Sequence, residues 1–213
     1  MSIPRIDPYC AVRTEEPLER FLEPAQFIES DAAEIRAFVA AQLAGCDDVE
    51  SARRVFHFVR DDVSHSWDIQ GKRVTRTALD VLTYREGICY AKSHLAAALL
   101  RSAGIPTGIC YQRLTLMDDD SRGYAVHALN TVYLQSRQRW IRFDARGNKQ
   151  GVDAQFSVER EQLAFRIRPQ FDEVDYLVNH AEPHPAIVDT LSKHDDAITM
   201  YVNGLPSALD YGV

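Results

Sequence analysis

Cysteine is scarce in this sequence: four residues in 213, at Cys10, Cys46, Cys89 and Cys110. None forms a CxxC pair, so neither a zinc ribbon nor a disulfide framework is expected. No stretch approaches the ~18 consecutive apolar residues that a membrane-crossing helix needs. The opening MSIPRIDPYCAVRTEE lacks the apolar segment of a secretory signal. There is no basic excess either: 24 Lys and Arg stand against 31 Asp and Glu, a formal net charge of −7. That balance argues against a nucleic-acid or anionic-membrane surface as the main partner. No block of five like charges occurs, and the Asp118-Asp119-Asp120 triplet reads as a solvated loop tip rather than a metal site. Repeats, low-complexity tracts and interdomain linkers are also missing. These absences leave an expectation of one domain over residues 1–213, in the cytoplasm, with free thiols.

What is present centres on Tyr84 to Pro106, YREGICYAKSHLAAALLRSAGIP. From Ile88 the apolar residues fall at helical spacing, with Leu95, Ala98, Leu99 and Ser102 along one stripe. Gly104 supplies a helix-ending residue and Pro106 prevents resumption. Cys89 then lies in the first turn, where free backbone N–H groups and the positive end of the dipole favour an anion, here a nucleophilic thiolate. A lone cysteine is more often a small core residue. Two further stretches change that balance: His127 in YAVHALNTVYL and Asp144 in RWIRFDARGN. Nucleophile, base and orienting acid in that order can form a catalytic triad.

Upstream, residues 1–25 hold four of the nine prolines and read as an extended arm with one edge strand. Ser30-Asp31 followed by Glu34 suggests a capping box opening a helix with Ile35, Phe38, Val39 and Leu43 on one face. Val49, Ala52, Phe56, Val59 and Val63 mark a second helix started by Asp47 or Asp48, in which His57 is structural. Ser64–Arg73 reads as a loop whose Trp67 either plugs the surface or lines a site. Thr77 and Asp80 cap a short helix through Arg85, which Gly87 breaks.

After Pro106 the period becomes alternating. Strands are expected over Ile109–Leu116, Tyr124–Leu134 and Trp140–Asp144, with short connections that imply an antiparallel sheet. His127 shares a face with Leu129 and Tyr133, and Asp144 shares one with Trp140 and Arg142. Pairing of these strands would bring His127 and Asp144 together on the face covered by the Cys89 helix. Farther on, Ser157–Arg166 and Pro185–His194 are expected as short helices. His180, His184 and His194 lack the thiolate or carboxylate spacing of a metal site.

GICYAKSHLAAALLRSAGIPTG resembles the cysteine motif of the transglutaminase-like superfamily, YAVHALNTVYL its histidine strand and WIRFDARGN its W-x-x-x-D segment. The resemblance covers about Asp47 to Gly151 and is nearest to small bacterial members described as candidate cysteine proteases. It implies an α+β, papain-like core in which the nucleophile helix packs on an antiparallel sheet. That core would span about residues 26–168, with 169–213 as a C-terminal extension. Carried over, Cys89 resembles the nucleophile, His127 the base and Asp144 the orienting acid, with no cofactor. The chain departs from common patterns at Leu129 (often Trp), Ala145-Arg146 (often Pro-Thr) and Lys92 (acidic in some relatives).

The implied activity is thiol-dependent acyl transfer on an amide or ester, chiefly hydrolysis, through a thioester. The substrate would be a peptide, a protein or a small amide. The Cys89 backbone N–H would hold part of the oxyanion, with Trp67 as a candidate second donor or pocket residue. Alternatives are an amine-accepting transglutaminase, a non-catalytic binding or scaffold module, and a Cys-His-Asp metal site. An α/β-hydrolase elbow completed by Asp153 and His184 is a weaker rival, because no buried strand precedes Cys89.

Overall fold

A computed structural model of the chain describes residues 12–116 and 123–211. The readings of Cys10, the first part of the arm and the Asp118–Asp120 loop tip fall outside the described residues. The helices are α1 (Ala33–Gln42), α2 (Asp48–Asp61), α3 (Ala78–Tyr84), α4 (Cys89–Ser102), α5 (Pro185–Lys193) and α6 (Ala197–Asn203). The long strands are β4 (Thr107–Thr115), β5 (Tyr124–Leu134) and β6 (Arg139–Phe143). The short ones are β1 (Arg13–Thr14), β2 (Ser64–His65), β3 (Glu86–Gly87), β7 (Val174–Asp175) and β8 (Val178–Asn179). None of the described helices is long and apolar enough to cross a membrane.

The central sheet runs β6-β5-β4-β7, antiparallel throughout. This is the α+β arrangement expected from the change of period at Pro106, with an extra edge strand, β7. The arm contributes its edge strand as β1, which pairs parallel with β8. β2 pairs parallel with β3, tying the Ser64–Arg73 segment to the residues that lead into Cys89. Helix α4 is buried along nearly its whole length. It is therefore less an amphipathic surface helix than the axis around which the other helices and the sheet pack. Leu95, Leu99 and Leu100 share a core with Phe56 of α2, Val81 of α3 and Val132 of β5.

Three local readings need correction. The Ser30 capping box does not form: α1 begins at Ala33, its N-cap Ala32 offers no side-chain bond, and the Ser30 N–H goes to the Ile28 carbonyl. Gly87 does not end α3. Arg85 does, in the left-handed conformation at φ 57°, while Gly87 has the Thr75 hydroxyl where a Cβ would sit. Residues 157–166 are not helical. The Ser157 hydroxyl accepts from Glu159 and Arg160 N–H groups, and a bridge joins Gln155 to Gln162, so local bonds outcompete the helix.

Other signals hold. Asp47 caps α2 by accepting from the Glu50 N–H. Thr77 and Asp80 form a complete capping box at α3. The sequence reading left α6 unassigned. It is capped by Asp196 and anchored by buried Ala197 and Met200.

Candidate active site

Cys89 is the first residue of α4, and its N-cap, Ile88, provides no side-chain cap. The first-turn N–H groups therefore remain for an anion rather than for the protein's own hydroxyl or carboxylate. β3 sets the entry angle. His127 sits in β5 opposite Gln112 of β4. Asp144 follows the last residue of β6, whose Phe143 pairs with Asn130. Continued by one step, that register sets Asp144 diagonal to His127 on the same side of the sheet.

The face differs from the sequence expectation. Val126, Ala128 and Val132 join α4 in the main core, whereas Leu129, in step with His127, packs with Val12 and Cys110 in a separate cluster. His127 and Asp144 thus come from the face away from the body of α4, and α4 meets them with its N-terminal residue. Strand alternation was read correctly; which side the helix covers is decided by packing of the alanine-rich stripe on Ile109, Tyr111 and the even-numbered β5 residues.

His127 Nε2 lies 2.8 Å from Asp144 Oδ2. Cys89 lines the same cavity as the ring and is the other group that raises its pKa. With Nε2 taken by the carboxylate, Nδ1 is the nitrogen left for a thiol. Phe165 stands edge-on to the imidazole at 5.1 Å and 88°. Asp144 is fully buried and accepts two further bonds, from the Arg146 and Ala164 N–H groups at 3.1 Å each. Burial would raise its pKa, but the His127 charge and these donors hold it below the usual carboxylate range. Burial likewise disfavours a charged His127, yet Asp144 and Cys89 together raise it to about 10. The site is built to keep this imidazole protonated.

Lys92 and Arg146 meet close to the His127–Asp144 pair. Lys92, only 1% exposed, donates to the Val63 carbonyl at 2.6 Å and the Arg146 carbonyl at 2.8 Å. Burial and the Arg146 charge lower its pKa to about 7, against the pull of Asp144 and Asp68. The Arg146 guanidinium is bidentate to Asp68 at 2.5 and 2.9 Å. Burial would raise Asp68, but this pairing holds it at about 2. Lys92 therefore pins the segment after Asp144 to the end of α2. Replacing it with Met would leave two buried carbonyls unpaired. We expect Lys92→Met to cost about 2–4 kcal/mol, read as a lower urea midpoint; an unchanged midpoint would mean that Lys92 holds nothing in place.

A cavity of about 1080 Å³ opens over Cys89 and His127. Trp67 lines it, stacked on Tyr201 at 4.4 Å and 13°. His65, a buried ring whose Nδ1 has no partner, lines it as well. Burial and nearby Arg146 keep His65 well below its ordinary pKa, hence neutral. The far wall comes from residues 160–168 and from Arg142, which bonds Glu161 and Asp175 at 2.7 Å each. Sequence reasoning missed this wall, reading most of it as a helix, and missed Tyr201, which carries no motif.

The rival constellation is not assembled. His184 accepts from the Ala186 N–H at the start of α5, and among the described residues no hydrogen bond links it to Asp153. His180 contacts the Tyr211 hydroxyl at 3.1 Å, and His194 lies 2.8 Å from the Thr190 carbonyl. Among the described residues, no group of three His, Cys, Asp or Glu side chains could hold a metal ion.

A family model of the transglutaminase-like superfamily matches residues 36–145, just over half of the chain, including all of α4 and both His127 and Asp144. The chain belongs to the transglutaminase-like superfamily. A candidate cysteine protease from Cytophaga hutchinsonii is a similar solved structure, at 24% identity and a TM-score of 0.46. The likeness covers 61% of this chain and 42% of that one, so the chain spans about two fifths of that protein's length. No curated protein matches the chain. Part of the cavity wall, residues 160–168 and Tyr201, comes from beyond the matched segment.

Proposed function

We propose that the protein is a cysteine-dependent acyl-transfer enzyme, chiefly a hydrolase, acting on an amide or ester of a peptide, a protein or a small molecule. The observation that carries this reading is that Cys89 and His127 line one cavity while Asp144, buried behind, holds the His127 ring at 2.8 Å. In the proposed cycle, Cys89 reacts as a thiolate beside the His127 imidazolium, which Asp144 orients and stabilises. The sulfur attacks the carbonyl carbon, an S–C bond forms, and the π pair moves onto oxygen. The first-turn N–H at Cys89 holds that oxyanion. Collapse breaks the bond to the leaving amine, which takes its proton from His127 Nδ1, and a thioester remains on Cys89. Water, deprotonated by the now neutral His127, then releases the acid. An amine arriving in place of water would give a transglutaminase outcome from the same intermediate. Trp67 is proposed as a pocket wall, the role its stacking on Tyr201 fits.

The test is mass-spectrometric labelling with iodoacetamide at pH 6, followed by turnover of a panel of peptide amides with and without an added amine. Cys89→Ala should abolish the fast labelling without lowering the melting temperature appreciably, because Ala fits a small, nearly buried site. Fast labelling that persists in Cys89→Ala, at Cys46 or Cys110, would sink the proposal.

A further inference from the structure

We propose that the Tyr201 hydroxyl is the second hydrogen-bond donor to the oxyanion, so that the C-terminal helix α6 completes the catalytic site. The inference rests on the acyl-transfer reading above and adds a residue from outside the family-matched segment, which ends at residue 145.

Tyr201 is held in place from three sides. Behind it, Ala197 and Met200 seat α6 in the main core, and the Ala197 N–H bonds the Lys72 carbonyl at 2.8 Å. Its ring stacks on Trp67 at 4.4 Å and meets His65 edge-on at 6.0 Å and 89°. Both partners belong to the segment that β2 fastens to β3, where His65 pairs with Gly87, two residues before Cys89. The phenol ring is therefore docked against the segment paired with the strand that leads into Cys89, and Tyr201 lines the same cavity.

Its chemistry suits an oxyanion donor. The Arg146 guanidinium, itself fixed by Asp68, acts on the phenol as a nearby cation and opposes the rise in its pKa. A nearby cation polarises the O–H, which remains a donor, and strengthens its donation. Burial and the charge on Cys89 raise the phenol pKa to about 12, so the proton stays on at neutral pH.

The experiment compares two reactions of the same thiol in the full-length protein. Acylation by p-nitrophenyl acetate passes through a tetrahedral oxyanion: the S–C bond forms, the negative charge lands on oxygen, and collapse expels p-nitrophenolate. Alkylation by iodoacetamide displaces iodide at a saturated carbon and makes no oxyanion. Tyr201→Phe keeps the ring, its stacking and the fold. It should slow acylation on the order of 10²-fold while alkylation at pH 6 stays within about twofold. Unchanged acylation would overturn the inference, and so would an equal fall in both rates, which would place Tyr201 on the thiolate. A loss that follows Trp67→Phe in place of Tyr201→Phe would assign the donor to the indole. A wild-type thiol that alkylates fast but does not acylate would also overturn it. A wild-type alkylation rate no faster than an ordinary thiol would instead bring down the acyl-transfer reading, and this inference with it.

Discussion

At pH 6, iodoacetamide should modify Cys89 in the wild-type protein on the order of 10²-fold faster than in His127→Ala, because a free thiol with a pKa near 8.5 is almost entirely protonated there. The expectation follows from charge. Burial alone would strip the proton from His127, but Asp144 and Cys89 together raise it to about 10. The imidazolium therefore persists from acid conditions through neutrality, so a thiolate formed beside it would have its counter-charge throughout that range. Plotted against pH, the wild-type rate should stay high well below 8, whereas the variant should follow an ordinary thiol curve. Coincident curves would show that the contact is structural and would favour a binding module over an enzyme.

The same shift has a signature in stability. A histidine raised in the folded state stabilises fully below its unfolded value near 6.5, and the contribution is lost as pH rises through about 10. The gap in urea midpoint between wild type and His127→Gln should accordingly be wide at pH 6 and narrow toward pH 10. A gap that widens instead would mean that His127 is neutral when folded.

How much of this was legible in advance divides along a physical line. Local chemistry could be read: the Asp47 and Thr77 caps, the helix from Cys89 to Ser102, and the three strands rest on near-neighbour periodicity and capping. The order of Cys89, His127 and Asp144 was legible too, since all three lie within the run from α4 to the end of β6. What depended on packing was not. The side of β5 that α4 covers is set by which alternate residues meet the alanine-rich helix, and either choice satisfies alternation alone. Lys92 looked like a departure from a motif; its partners are carbonyls 29 and 54 residues away. Tyr201 had no signal at all, because what makes it part of the cavity is the distant Trp67 ring. The failed Ser157–Arg166 helix has this origin in part: besides the local Ser157 bonds, Ala164 gives its N–H to Asp144 and Glu161 goes to Arg142.

Replacing Asp144 should separate its two duties. As a carboxylate it fixes the His127 tautomer and stabilises the imidazolium; as an acceptor it also holds the Arg146 and Ala164 N–H groups. Asparagine keeps the volume and one oxygen but can turn a donor toward Nε2, leaving His127 neutral and wrongly protonated. In the serine-protease triad the equivalent change lowers turnover by about 10⁴, and we expect Asp144→Asn to reduce acylation of Cys89 by about 10³–10⁴ with the fold retained. Alanine removes every acceptor from a fully buried site. Two backbone N–H groups would be stranded, and we expect Asp144→Ala to cost about 3–5 kcal/mol in denaturant unfolding. The contrast is the test. If asparagine acylates at near wild-type rates, Asp144 is a loop anchor and the triad reduces to a Cys89–His127 dyad. If asparagine loses as much stability as alanine, the charge itself holds the fold. Fast chemistry lost in both variants, with stability lost mainly in alanine, is the pattern that one carboxylate serving both the base and the Arg146 segment requires.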